Sequence, residues 1–161
     1  MYRQSYPVCI HSITGPYLLQ SQNYPTYQIG YDEQGQASIT QQGNTFYLVK
    51  PGLSGDEGSV SLEAADKPRF HLRHYGYLLD LEDRNNPRNP GIFHLDSSFK
   101  LRQNQWADGY LTFESVNVPN NYIRHQGYRL RISANDNTAL FKADAGFQSI
   151  EGKFGHLKSV H

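Results

Sequence analysis

Leu111-Thr112-Phe113-Glu114-Ser115-Val116-Asn117-Val118-Pro119, followed by Tyr122-Ile123-Arg124-His125-Gln126-Gly127-Tyr128-Arg129-Leu130, has a counterpart earlier in the chain. Val60-Ser61-Leu62-Glu63-Ala64-Ala65-Asp66-Lys67-Pro68 continues through Phe70-His71-Leu72-Arg73-His74-Tyr75-Gly76-Tyr77-Leu78-Leu79. Glu63 and Glu114, Pro68 and Pro119, His74 and His125, and Tyr77 and Tyr128 all stand 51 residues apart. The match resumes where Phe93-His94-Leu95-Asp96-Ser97-Ser98-Phe99 parallels Phe141-Lys142-Ala143-Asp144-Ala145-Gly146-Phe147. A fainter first copy aligns Ile10-His11-Ser12-Ile13 with Leu62-Glu63-Ala64-Ala65, Tyr24 with Tyr77 and Tyr128, and Phe46-Tyr47-Leu48 with Phe93-His94-Leu95. The chain therefore divides into three units of about fifty residues, a period that signals a repeat architecture.

Inside each unit the pattern is that of strands. Tyr128-Arg129-Leu130-Arg131-Ile132 alternates with period two after Gln126-Gly127, a Gly-containing hairpin turn, and Tyr75-Gly76 repeats it one unit earlier. No window sustains a 3.6-residue period with caps, so little helix is expected. Turn punctuation is dense at Asn85-Asn86-Pro87, Asn89-Pro90-Gly91, Asn135-Asp136-Asn137 and Pro51-Gly52. Three units of about four short strands each close on one another as a single all-β domain, a β-trefoil. Closure removes exposed sheet edges, whereas a seven-strand sandwich gives no reason for three-fold repetition. The expected repeats span roughly 6–58, 59–108 and 109–155 within one domain covering 1–161.

Composition narrows the function. Lys+Arg and Asp+Glu balance at 15 each among 161 residues, so no net field favours nucleic acid or a membrane surface. Twelve Tyr and eight Phe suit many short strands, and abundant Asn and Gln offer neutral amides to neutral polar ligands. Cys9 is the only cysteine, which excludes an intramolecular disulfide and reads as a small core residue within Val8-Cys9-Ile10. Nothing resembles a signal peptide or a membrane span. That leaves a cytoplasmic protein, one that leaves by another route, or a leader outside this numbering.

The Arg-His pair before a turn, with Asp-x-x-Phe some twenty residues later, recurs in order as Arg124-His125 and Asp144-Ala145-Gly146-Phe147. With Leu111-Thr112-Phe113-Glu114-Ser115 ahead of it, this run resembles the arabinofuranose-binding domain appended to α-L-arabinofuranosidase B enzymes, carbohydrate-binding module family 42. The resemblance covers about 60 to 150 well and the first fifty residues poorly. It implies a β-trefoil with a shallow sugar pocket in each competent repeat, and terminal arabinofuranosyl branches as ligand. Carried over, it offers His74, Tyr75 and Asp96 in the second repeat, and His125 and Asp144 in the third. Gln126 stands in the third repeat where an aromatic is expected. In the first repeat Ser21 replaces the His and Val49 the Asp, so that repeat is expected to be structural.

The chemistry stands without the family. A small sugar needs a carboxylate or imidazole for vicinal hydroxyls and an apolar surface for its C–H face, and charge-assisted hydrogen bonds contribute about 1.5–3 kcal/mol each. Competing readings attach to the same residues. His74 and His125 also suit hairpin caps, Asp96 and Asp144 also suit turn-forming bonds to backbone, and Glu63 and Glu114 either face the pockets or do not. Tyr77 and Tyr128 read as core or hairpin packing. His71-x-x-His74 places two histidines on opposite faces of a strand, so no metal or cofactor is expected; His156 and His161 read as solvated.

A glycosidase needs two carboxylates ~5–10 Å apart flanking one bond. Asp96 and Asp144 lie on different repeats, which argues for a non-catalytic lectin or carbohydrate-binding module. Its partners are glycans or polysaccharide side chains, with arabinofuranose and galactose-type residues both open, and an oligomer is left open. The alternative is a protein-interaction trefoil without sugar binding, such as an inhibitor, a cytokine-like ligand or a cytoskeletal cross-linker. Its best loop would be Asp83 to Pro90, with Arg84 and Arg88.

Overall fold

A computed structural model of the chain describes residues 11–151. The readings made for Val8, Cys9, Ile10, His156 and His161 lie outside that range, as do the outer margins of the first and third repeats. The described residues form twelve strands, four per repeat. The first repeat holds β1 (Ser12–Ser21), β2 (Gln28–Tyr31), β3 (Ala37–Thr40) and β4 (Phe46–Lys50). The second holds β5 (Ser59–Ala64), β6 (Phe70–Tyr75), β7 (Leu78–Asp83) and β8 (Phe99–Gln103). The third holds β9 (Leu111–Ser115), β10 (Asn121–Gln126), β11 (Arg129–Ala134) and β12 (Phe147–Glu151).

Pairing closes two layers. β1–β4, β4–β5, β5–β8, β8–β9, β9–β12 and β12–β1 run antiparallel around a six-stranded barrel. The hairpins β2–β3, β6–β7 and β10–β11 cap one end and join through β3–β11, β11–β7 and a Gln36–Asp80 bridge. The chain is an all-β trefoil. Its three-fold is legible in the register: Phe46 pairs with Ala64, Phe99 with Ser115, and Phe147 with Ser21. The three Phe rings are wholly buried, as are Leu19, Leu62 and Phe113, one from each repeat. The hairpins repeat the device with Ile29 opposite Ile39, Leu72 opposite Leu81 and Ile123 opposite Ile132.

This register corrects the alignment of the first repeat. Leu18-Leu19-Gln20-Ser21, rather than Ile10-His11-Ser12-Ile13, matches Ser61-Leu62-Glu63-Ala64. Phe46 opens β4 as Phe99 opens β8, so it does not match Phe93. The faint first copy misled because its period is 43 residues, Ser21 to Ala64, against 51 from Ala64 to Ser115: its β3–β4 connection lacks the helical segment, while its β2–β3 turn is one residue longer. There Asp32 accepts from the Gln34 and Gln36 amides at 2.9 Å each.

The other two hairpins turn one residue later than the sequence suggests. Gly76-Tyr77 and Gly127-Tyr128 all have positive φ, the type I′ pattern whose twist matches the strands. Tyr77 and Tyr128 consequently stand on the surface, 52% and 48% exposed, and are not core residues. Glu63 and Glu114 do not reach the pockets. Each accepts the backbone N–H of a left-handed residue, Arg69 at 2.9 Å and Asn120 at 2.7 Å, and so closes the turn before β6 or β10.

Helix is confined to a 3-10 turn, Pro90–Ile92, running into α1 (Phe93–Asp96), and to α2 (Ala139–Asp144). Thr138 caps α2 by accepting the Phe141 amide at 3.1 Å. Helices this short carry no periodicity in sequence, yet each ends on the aspartate of its repeat.

Among the buried polar groups His71 is distinctive. Its Nδ1–H donates to the Arg69 carbonyl at 3.2 Å, while Nε2 is buried without a partner. Burial, opposed in part by Glu63 and Asp83 and aided by Arg84, pushes the imidazole down to about 4. Between pH 6.5 and about 4 the folded state thus binds fewer protons than the unfolded one, so stability falls as pH falls across that window. The full loss is about 3 kcal/mol. Chemical denaturation at pH 7 and pH 4.5 should show the wild type losing more stability than His71→Leu.

Candidate binding sites in the second and third repeats

Two side-chain clusters of the same design sit where the hairpin layer meets the barrel. In the second repeat β6 supplies Arg73 and His74, and the end of α1 supplies Asp96. Arg73 is fully buried, its guanidinium 5.3 Å from the centre of the Phe93 ring. Its Nε donates to the His74 carbonyl at 2.9 Å, and its terminal nitrogens hold Asp96 at 2.5 Å and Glu82 at 2.8 Å. In the third repeat Arg124 stands 5.1 Å from the Phe141 ring, donates to the His125 carbonyl at 3.0 Å and pairs with Asp144. The aspartates are therefore held by a guanidinium at the base of each site, not by turn backbone.

The next repeat completes each cluster. Asn117 donates from Nδ2 to the second Asp96 oxygen at 2.8 Å, and Asn23 donates likewise to Asp144 at 2.7 Å. A carboxylate can only accept, which fixes the amide orientation and turns Oδ1 toward the imidazole. His74 Nε2 lies 3.0 Å from Asn117 Oδ1, and His125 Nε2 lies 2.8 Å from Asn23 Oδ1, so each Nε2 carries the proton. The histidines bond across repeats and do not cap their hairpins. Burial holds both imidazoles below their ordinary range, with Arg73 and Arg124 acting in the same sense, against Asn117 and Asp96 at His74 and against Asp144 at His125. Ser115 and Ser21 complete the sets by donating to Asn117 and Asn23.

Around the second cluster lies an open pocket of about 470 Å³, lined by His74, Tyr75, Tyr77, Ile92, Asp96 and Asn117 among others. Polar atoms line the bottom and apolar side chains the rim. Tyr75 packs under Arg88, whose guanidinium is 3.9 Å from the ring centre and pairs with Asp80 and Glu82. That contact ties Arg88, from the Asp83 to Pro90 loop, to a tyrosine that lines the pocket. By register, Gln126, Tyr128, Leu140 and Tyr24 take the places of Tyr75, Tyr77, Ile92 and Val118. Gln126 is exposed, and ring contact with the third cluster comes from Tyr24, 5.0 Å from the His125 ring.

The first repeat has lost the cluster, through residues other than Ser21 and Val49. Ser21 belongs to the third-repeat site, 3.5 Å from His125 Nε2, and Val49 is buried core. The position of His74 and His125 is Tyr31, opposite Ala37 as His74 is opposite Leu79. Gly30 replaces the arginine, with Asn44 in the space a side chain would need. Gly43 replaces the aspartate, three residues before Phe46. Tyr31 instead donates to Asp66 at 2.5 Å, and Asp66 occupies the Asn117 position. Sequence reasoning missed Arg73, Arg124, Asn117 and Asn23. The arginines were visible as the first half of each Arg-His pair, whereas the asparagines lie outside the repeat they serve.

The family model for the α-L-arabinofuranosidase B (AbfB) domain matches residues 11–101 and 89–161. The chain belongs to the AbfB domain family. Curated relatives include α-L-arabinofuranosidase B of Emericella nidulans, 51% identical over 116 residues that cover 64% of this chain and 21% of that protein. The Aspergillus oryzae enzyme of the same name is 38% identical over 111 residues, covering 68% of this chain and 22% of its own length. The chain thus spans about a fifth of the curated relatives it matches. Among solved structures, an arabinofuranosidase complexed with arabinofuranosyl-α-1,2-xylobiose aligns with a TM-score of 0.73 at 21% identity, over 86% of this chain and 31% of that one. The GlcNAcα1-4Gal-releasing endo-β-galactosidase of Clostridium perfringens aligns at 0.64 with 14% identity, over 87% and 33%. At these identities the structures share the fold alone. Among the described residues of this AbfB domain, no three His, Cys, Asp or Glu side chains group as metal ligands, and no helix is long and apolar enough to cross a membrane.

The buried ion pair makes a direct prediction. Asp96→Ala removes one of the two carboxylates that hold the buried Arg73 guanidinium and should cost about 3 kcal/mol. Calorimetry should record a melting temperature lower by about 10 °C. Arg73→Met combined with Asp96→Leu should recover most of that loss.

Proposed function

We propose that this AbfB domain is a non-catalytic carbohydrate-binding module with one sugar pocket in the second repeat and one in the third. The ligand is a terminal neutral sugar on a branched glycan, arabinofuranose first and galactose-type residues second. The observation that carries the reading is the duplicated His–Asn–Asp cluster, an imidazole, an amide and a carboxylate held in one arrangement, which in the second repeat lines a pocket with exposed tyrosine and aliphatic side chains. Each carboxylate is ionically paired below and meets solvent above, so it can accept sugar hydroxyls without reorganising. The relatives' names supply the sugar class.

Binding, rather than hydrolysis, follows from the distribution of carboxylates. Asp96 and Asp144 lie in separate repeats, and each is already engaged by its own arginine and asparagine. A glycosidase brings two carboxylates to one bond. A single shallow pocket would bind at about 1 mM. Two pockets on one rigid domain raise avidity for a branched polymer by roughly 10²–10⁴.

Titration with methyl α-L-arabinofuranoside and a methyl galactoside, followed by NMR, should reveal two sites at millimolar ligand. Asn117→Ala and Asn23→Ala should each remove one site while leaving cooperative unfolding, and the double variant should remove both. Absence of binding at tens of millimolar, or a stoichiometry indifferent to these changes, overturns the reading.

A further inference from the structure

The surroundings of the two clusters differ on one side. Beside the third-repeat cluster lies a second hollow of about 370 Å³, lined by Tyr27, Ile39, Thr40, Gln41 and Gln42 of the first repeat and Tyr128 of the third. Tyrosine rings lead into it from the cluster. Tyr24 lies 5.0 Å from the His125 ring and 5.8 Å from Tyr128, and Tyr128 lies 5.3 Å from Tyr27 at 33°. Tyr24 and Tyr128 are 41% and 48% exposed.

The second repeat has the same backbone without the rings. Ile39 donates to the Tyr128 carbonyl at 2.8 Å, just as Ile132 donates to the Tyr77 carbonyl at 2.9 Å. Counting from those anchors, Tyr24, Tyr27, Thr40, Gln41 and Gln42 correspond to Val118, Asn121, Ser133, Ala134 and Asn135. Of the positions of Tyr24, Tyr27 and Tyr128, only the last keeps a ring in the second repeat, as Tyr77. Shared backbone geometry excludes the fold itself as the reason for the tyrosine cluster.

Resting on the sugar-binding reading above, we propose that this hollow is a second subsite. It takes the neutral sugar ring to which the terminal residue in the third-repeat pocket is attached. The second-repeat pocket then binds the terminal residue alone. No charged side chain lines the hollow, so a neutral occupant fits it. Tyr27 and Tyr128 present ring faces and edges to C–H surfaces, and Gln41 and Gln42 supply amides for hydroxyls. The hollow continues from the cluster through Tyr24 and Tyr128, so one ligand can occupy both. The third-repeat site thereby recognises a branch together with its attachment point.

The test uses the full chain and two probes, methyl α-L-arabinofuranoside and arabinofuranosyl-α-1,2-xylobiose, titrated by calorimetry. With the second pocket silenced by Asn117→Ala, the oligosaccharide should bind about tenfold more tightly than the monosaccharide. Adding Tyr27→Ala should abolish that ratio while monosaccharide affinity stays unchanged, which also reports an intact fold. Tyr27→Leu, which keeps bulk and loses the aromatic ring, should do the same. With the third pocket silenced by Asn23→Ala, the ratio should be near one. A ratio near one in Asn117→Ala, or a ratio untouched by both Tyr27 variants, overturns the subsite while leaving sugar binding standing. If the wild type binds neither probe, sugar binding itself fails and the subsite with it.

Discussion

The buried pair between an arginine on the middle strand of a repeat and the aspartate ending its short helix organises everything around it. Burying a guanidinium is costly unless every donor finds an acceptor. Arg73 meets that demand with a carbonyl on its own strand, two carboxylates and the Arg88 carbonyl. The aspartate is thereby fixed with one oxygen turned toward the pocket. The asparagine of the next repeat reads that oxygen, and its own orientation then sets the tautomer of the histidine. A chain of single-valued hydrogen bonds runs from the interior to the surface. It holds the polar groups of each cluster in one arrangement.

The first repeat clarifies what this device requires. Where glycine replaces both the arginine and the aspartate, the next residue of the same strand is tyrosine in place of histidine, and the following repeat carries aspartate in place of asparagine. Tyr31 and Asp66 still bond to each other, so the trefoil keeps its inter-repeat tie after the pocket is gone. The first repeat nonetheless contributes Ser21, Asn23 and Tyr24 to the cluster of the third. Each site belongs to a boundary between repeats, and losing one repeat's cluster leaves its outward-facing half in use.

Non-equivalence of the two remaining sites follows from the same boundary logic. The third repeat donates Asn117 and Val118 to its neighbour, while the first donates Asn23 and Tyr24. One site therefore has an aliphatic wall and an Arg88-braced tyrosine, and the other a tyrosine cluster. Divergence among repeats changes the site each one completes as well as the site it hosts.

Three-fold repetition, strand-rich architecture and the His and Asp positions were legible in the sequence, because the second and third copies keep one offset from Glu63 to Tyr77 and the same Asp-x-x-Phe order after it. Glu63 and Glu114 were legible only as a matched pair, since their turn-closing role depends on which backbone N–H comes within reach. The first copy was misaligned because its β3–β4 connection lacks the helical segment, which shortens its period, and substitution had removed the markers. Pairing of Phe147 with Ser21 restores the alignment. Only the tertiary structure could reveal Asn117, Asn23 and Tyr24 as site residues, since they lie far along the chain from the histidines they meet. Sequence by itself determined the repeat and the residue types; barrel closure decided which repeat completes which site, because it brings the end of the third repeat against the beginning of the first.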